Sequence, residues 1–315
     1  MNTKRWVSLA AAVALFLGMV YVVGRYSGTG VGADTGPWDE VFVQGEGDDV
    51  IAVVNVEGEI VETGAGDGVA VAADLVSQLQ QARRDDTVKA VILRLNTPGG
   101  SVVAADEVYR EVLDLRRAGK PVVASMGGVA ASGGYFISAG ADRIVANPST
   151  ITGSIGVILV LVNLQDAAGK LGIEPVVITA GRLKDIGSPF RQLTEEEREI
   201  FQTLLDEAYD RFTGVVAEGR HLSSGEVTGV ADGRPLSGAQ AEEAGLVDQL
   251  GDFDAAVATA RELAGLDQAI VVEYAPDVSL ADLLRPRFPG FDSPVEEIER
   301  RVGVTGPVLK YLYVA

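Results

Sequence analysis

The chain has 315 residues, enough to bury a full core and to hold one large or two small domains. Its 45 acidic residues outnumber 26 basic ones, and the net charge of -19 repels nucleic acid and removes a nucleic-acid role. With no cysteine and one histidine, His221, the chain excludes disulfides, thiolate metal sites and a cysteine nucleophile, and a Ser-His-Asp triad would have to use His221.

Residues Trp6 to Val23 carry no charge and follow Lys4 and Arg5. As a helix they span roughly 27 Å, the thickness of a bilayer's hydrocarbon core. The expectation is a single-pass anchor over residues 1–26, with the N-terminus cytoplasmic and the rest of the chain outside the cell membrane. The alternative is a cleaved signal peptide, for which Ser27-Gly28-Thr29-Gly30 is permissive. Residues 27–48, rich in Gly, Asp and Glu and without periodicity, are expected to form a flexible linker.

A folded domain is expected over 49–266 and a C-terminal extension over 267–315. Strands are predicted at Val50 to Val56, Val88 to Leu95, Pro121 to Ser125, Ile144 to Ala146, Ile155 to Val162, Pro175 to Thr179 and Ala269 to Tyr274. Helical patterns cover Val69 to Arg84, then Val102 to Ala118 with Val103, Val108, Val112 and Leu115 near one face, then Ser132 to Ala139 and Leu164 to Leu171. A longer helix opens on a capping box, Thr194 with Glu197, and runs to about Glu218. Shorter helices follow at Gly225 to Val230, Gly238 to Ala244 and Asp254 to Leu263. Strands alternating with helices predict an α/β fold with a largely parallel sheet. The apolar Val302-to-Ala315 tail has no clean period; it would pack on the domain, pair with a neighbouring subunit or touch the membrane.

Three segments carry the chemistry. Asn96-Thr97-Pro98-Gly99-Gly100 links a strand to a helix, where glycines let backbone N–H groups meet developing negative charge; the competing reading is a plain turn. In Ala130-Ala131-Ser132-Gly133-Gly134 the serine sits before a short helix, with the Gly133 amide placed to serve as one oxyanion donor and Gly99 or Gly100 as the other. The competing reading makes Ser132 an N-cap. Lys184 follows the Pro175-to-Thr179 run and would need desolvation to act as a base. Ser154 is a second hydroxyl able to orient the lysine amine, or else a turn serine. His221 is expected at a helix end, apart from catalysis.

Together these segments resemble the signal peptide peptidase A family of membrane-anchored Ser-Lys peptidases, peptidase family S49. The resemblance rests on Asn96-Thr97-Pro98-Gly99-Gly100-Ser101, Ser125 through Tyr135, Ala141 through Pro148, Thr152 through Val157 and Lys184 through Pro189, in family order, and extends from about Val50 to Ala264. It implies a crotonase/ClpP-like α/β spiral, with Ser132 as nucleophile, Lys184 as general base, Ser154 orienting the lysine, and Gly99, Gly100 and Gly133 forming the oxyanion hole. It implies peptide substrates such as spent signal peptides and no cofactor or metal. It also implies a homo-oligomeric ring or dome, such as an octamer, with sites shared between adjacent subunits. The acidic surface, the linker and the tail after Leu266 have no counterpart in the family pattern. Competing functions are an NfeD-type membrane Ser-Lys protease with a specific partner, a crotonase-type acyl-CoA enzyme, which the anchor disfavours, and an inactive membrane scaffold, which the intact Ser132 and Lys184 disfavour.

Overall fold

The computed structural model describes residues 37–64, 68–276 and 309–313. The expected anchor lies outside these residues. Among those described, no helix is long and apolar enough to cross a membrane.

A nine-stranded sheet organises the chain. The strands along its main path are β1 (Trp38–Gly45), β12 (Ile270–Pro276), β2 (Val50–Glu57), β5 (Val88–Thr97), β7 (Val122–Ala131), β8 (Arg143–Ala146) and β11 (Gln249–Leu250), in that spatial order. All neighbours on this path are parallel except β1 and β12. Off the path, β9 (Ile151–Gly153) runs parallel to the end of β7 and pairs with β10 (Pro235–Ser237). A second, four-stranded sheet joins β13 (Lys310–Leu312), β6 (Gly99–Ser101), β3 (Glu59–Val61) and β4 (Val69–Val71).

The long strands are apolar on both faces because both faces are covered. Ile51, Val53, Ile92, Val123 and Val145 pack with Ala256, Val257 and Ala260 of α8 (Phe253–Ala264). The alternate residues Ala52, Val54, Val91 and Leu93 face the larger core. It is covered by α1 (Ala72–Arg84), α2 (Val102–Arg117), α3 (Gly133–Ser138) and α5 (Glu195–Arg220). Three short helices complete the fold: α4 (Gln165–Lys170), α6 (Ser224–Val230) and α7 (Gly238–Glu243). The predicted capping box at Thr194 and Glu197 is present at the start of α5.

Several expectations need correction. Two predicted strands do not form. Ile155 to Val162 contributes only a bridge from Ile158 to Lys310, and Pro175 to Thr179 is irregular, with Val176 84% and Ile178 92% exposed. Their β-branched composition favours extended backbone, but one chain offers them no sheet to join. The helix predicted from Val69 begins at Ala72, because Val69–Val71 pairs with β3 instead. Val103 is 56% exposed rather than on the buried face of α2. The sheet also passes both expected domain boundaries. Trp38–Gly45, inside the expected linker, pairs along β12, and β12 itself lies in the expected extension. The tail packs on the domain through β13, with Tyr311 fully buried.

Candidate active site

The site forms where three strand ends meet. β5 ends at Thr97, and the turn that follows doubles as β6. Thr97 Oγ1 accepts the Gly99 N–H at 3.0 Å, so the Gly99 amide is already used. Gly99 has φ +100°, and a Cβ on it would lie 2.1 Å from the Tyr311 carbonyl oxygen and 2.6 Å from the Gly133 nitrogen. Only glycine fits there.

β7 ends at Ala131, and Ser132 makes the turn into α3 with φ 53°, a conformation that costs an L-residue about 1–2 kcal/mol. Its N–H donates to the Gly153 carbonyl at 2.8 Å, and its carbonyl accepts from Phe136 N–H at 2.8 Å, so both sides of the residue are held. The residue stands at the N-cap position of α3, yet its side chain makes no capping bond. The N-cap reading therefore fails. Gly133 comes next, and a Cβ there would lie 3.2 Å from both the Gly100 nitrogen and the Tyr311 oxygen. Gly134 packs on Thr97, whose Cγ2 would meet an added Cβ at 2.6 Å. The glycine run thus lets α3 press against the β6 turn, which brings Gly133 close to Gly99 and Gly100. α3 is anchored at its far side by Tyr135, whose hydroxyl donates to the Leu246 carbonyl at 2.9 Å.

Ser154 follows Gly153, the acceptor of the Ser132 amide. It too has positive φ, 49°, and its N–H donates to the Arg234 carbonyl at 3.0 Å. Among the described residues the only other non-glycine with positive φ is His221, which ends α5 as a left-handed C-cap. Two of the three strained residues are therefore the candidate serines. Ser154 borders a cavity of about 540 Å³ shared with Gly156, Tyr209, Asp232 and Tyr313.

Lys184 lies in a different environment from Ser132. It is exposed, its backbone N–H donates to Gly181, and no hydrogen bond joins it to Ser132, which is 1% exposed. The structure brings Ser132, Ser154, Gly99, Gly100 and Gly133 together, and leaves Lys184 on the outer loop. That loop is clamped by Arg191, which the sequence reading passed over. The Arg191 guanidinium binds Asp185, next to Lys184, at 2.8 Å, and pairs with Glu197 of the capping box through both of its terminal nitrogens. The guanidinium beside Glu197 is the main reason its carboxyl falls to about 2. The signal available was the equal six-residue spacing of Asp185, Arg191 and Glu197.

β13 is the other feature that sequence reasoning left undefined. It runs antiparallel to β6, with Tyr311 opposite Gly100. On its other edge Lys310 exchanges two backbone hydrogen bonds with Ile158, at 3.0 and 3.1 Å.

Residues 114–267 match Peptidase family S49, and residues 45–151 match Clp protease, in keeping with a mixed α/β, ClpP-like fold. A putative signal peptide peptidase SppA of Enterococcus faecium is 34% identical over 298 residues, covering 89% of this chain and 86% of that protein. A putative protease of Synechocystis is 43% identical over 216 residues, covering 69% of this chain and 77% of its own length. Protease 4 of Haemophilus influenzae is 41% identical over 224 residues, 71% of this chain but 36% of that longer protein. The chain thus spans well under half of the Protease 4 relatives and nearly the whole of the Enterococcus protein. With relatives named as proteases matched across both the serine turn and the lysine loop, the chain belongs to peptidase family S49.

Proposed function

We propose that the chain is a membrane-anchored serine endopeptidase that uses Ser132 and Lys184 and acts on apolar peptides, cleaved signal peptides among them. The observation that carries this reading is the strained, uncapped Ser132 packed beside the Gly99, Gly100 and Gly133 backbone. Strain of this kind persists where the surrounding structure enforces it, and it clusters at reacting centres.

The reaction follows from the residues. Neutral Lys184 takes the Ser132 hydroxyl proton, and Oγ bonds to the carbonyl carbon of the substrate. The oxyanion is held by the Gly100 and Gly133 N–H groups. The carbon–nitrogen bond breaks, and the lysine proton goes to the departing amine, leaving an acyl-enzyme. Water then attacks the ester, giving its proton to Lys184, and Ser132 recovers its own as the acid product leaves.

Lys184 is exposed in one chain, so the proposed assembly is a homo-oligomeric ring or dome in which the lysine loop of one subunit reaches the serine of the next. Support comes from Val176, Ile178 and Leu171, which are 84%, 92% and 75% exposed on the same stretch of chain; exposed apolar patches of this kind mark interaction surfaces. Docking would also desolvate the lysine, as a neutral base requires. The Trp6-to-Val23 run is proposed as the anchor, with the catalytic domain on the extracytoplasmic side.

Labelling of the full chain with a fluorophosphonate tests the reading. Labelling that disappears in Ser132→Ala and is strongly slowed in Lys184→Ala supports it. A Ser132→Ala chain that is still labelled and still cleaves peptides overturns it.

A further inference from the structure

A pocket of about 220 Å³ opens beside the start of β8. It is lined by Arg116 of α2, Asp142 and Arg143, Arg220 and His221 at the end of α5, and Asp248. Ala141 lines it as well, three residues past α3, so the pocket stands at the opposite end of that helix from Ser132.

In a chain of net charge -19, three guanidiniums here face two carboxylates. Both carboxylates are already committed. Asp142 Oδ1 accepts from Arg116 Nε at 2.7 Å, and its Oδ2 accepts the Val122 N–H at 2.8 Å. Asp248 takes the Arg220 guanidinium through both oxygens, at 2.8 and 2.9 Å, and also accepts the Ile144 N–H at 2.7 Å. Further bonds hold Arg116 to the Gly140 carbonyl at 2.9 Å and Arg220 to the Gly245 carbonyl at 3.2 Å. The Arg220 side chain is only 7% exposed.

The guanidiniums keep donors in reserve. Each carries five N–H groups. Among the described residues Arg220 uses three of them, Arg116 two and Arg143 one. The Arg143 bond goes to the neighbouring Asp142 carbonyl, and neither Arg143 nor His221 makes an ion pair among the described residues. His221 ends α5 with φ 55°, where glycine is the usual residue, so the turn itself does not call for histidine. The C-terminal end of α5 brings about half a negative charge to this place, less than the charge of the one guanidinium that no carboxylate offsets.

We infer that this pocket binds a phosphate group, free or as a monoester, with Arg220 at its floor and Arg116, Arg143 and His221 at its mouth. Phosphate suits the arrangement better than a carboxylate. Its oxygens point in several directions and meet guanidiniums carried by three separate elements, whereas one arginine satisfies a carboxylate in a single plane. Arg116 and Arg220 are fixed before the ligand arrives, so little side-chain freedom is lost on binding. Acidic groups farther than about 8 Å away are largely screened at physiological salt, which leaves the local contacts to decide. The site is independent of the chemistry proposed for Ser132.

Isothermal titration calorimetry tests it on the full-length chain in neutral detergent, at one pH and constant ionic strength, with inorganic phosphate, glycerol 3-phosphate and acetate as probes. Saturable binding of a phosphate probe is expected, with acetate far weaker. Tighter binding of glycerol 3-phosphate than of inorganic phosphate supports a monoester ligand, and the reverse order supports the free ion. Arg143→Ala, at an exposed position, should weaken binding about tenfold. Arg198→Ala removes the same charge from the exposed start of α5 and should leave binding unchanged. Thermal melts give a second reading: phosphate should raise the melting temperature of the unmodified chain and of Arg198→Ala, and raise it less in Arg143→Ala. No saturable binding of either phosphate probe by the folded, unmodified chain overturns the site, as does unchanged affinity in Arg143→Ala. Acetate binding as tightly as phosphate overturns the phosphate assignment. Equal weakening by Arg143→Ala and Arg198→Ala also overturns the site, since overall charge then explains the effect.

Discussion

The amide of Ser132 donates to the carbonyl of Gly153 at 2.8 Å, which ties the candidate nucleophile to the residue before Ser154. Both serines have positive φ, so two strained turns brace each other across the β7–β9 pairing. Replacing Ser132 separates strain from chemistry. Ser132→Gly and Ser132→Ala both abolish hydrolysis, but the glycine variant is the more stable by about 1–2 kcal/mol, since only glycine adopts this φ without cost. Thermal unfolding of the two variants measures the difference, and equal melting temperatures would refute the strain.

Gly99→Ala is expected to damage fold and site together. Its Cβ would fall 2.1 Å from the Tyr311 carbonyl oxygen, at a φ that alanine resists. The expected loss is about 1–3 kcal/mol of stability, with kcat reduced through displaced amides. Denaturant unfolding with peptide turnover checks it; a fully active, fully stable variant would contradict the geometry.

Arg191 positions the lysine loop through Asp185 and Glu197. Arg191→Ala is expected to lower kcat, to alter the pH dependence attributed to Lys184, and to be partly rescued by Arg191→Lys. Glu197 is depressed to about 2, so its contribution is present above its ordinary value of 4.5 and is lost only as pH falls through about 2. The clamp is therefore constant from pH 5 to 9, and any change in the rate profile in that window belongs to the base. A profile that keeps its shape in Arg191→Ala would assign the arginine a purely structural role.

Glu40 gives the opposite sign. Burial, reinforced by Asp85, raises its carboxyl from 4.5 to about 6, and its Oε2 is buried without a partner. A raised carboxylate stabilises the fold below pH 4.5 and loses that contribution as pH rises through 6. Glu40→Gln should therefore raise stability at pH 8 and leave it unchanged at pH 4. The gain is on the order of 1 kcal/mol once solvent screening of a half-exposed group is allowed for. Thermal melts at the two pH values decide it; a Gln variant weaker at pH 8 would reverse the sign.

Ile178 is 92% exposed. Ile178→Asp should change the stability of the single chain by less than about 0.5 kcal/mol while reducing assembly size and peptide turnover together. Light scattering alongside activity measures both, and an intact, active oligomer would remove this face from the interface.

The central fold was legible because β2, β5 and β7 are largely apolar, β-branched runs between turn signals, a pattern that needs no partner chain to interpret. The serine turn was legible for a related reason: a serine flanked by alanines and glycines has few structural uses. Ile155 to Val162 and Pro175 to Thr179 misled because they are as β-branched as true strands, and composition does not say whether a sheet edge is available to them. β1 and β13 were missed because pairing partners far away in sequence define them: Trp38 pairs with Pro276, and Tyr311 with Gly100. No local pattern encodes that distance. The exposure of Lys184 beside a buried Ser132 was equally hidden, since burial is a property of the folded chain.

The most direct measurement is peptide turnover by oligomers co-assembled from full-length Ser132→Ala and Lys184→Ala chains. Each variant alone should be inactive. In a head-to-tail ring with a shared site, random co-assembly leaves about one quarter of the sites with an intact serine and an intact lysine, and turnover returns to that fraction of the unmodified enzyme. No turnover from verified mixed oligomers would contradict a site completed by the neighbouring subunit.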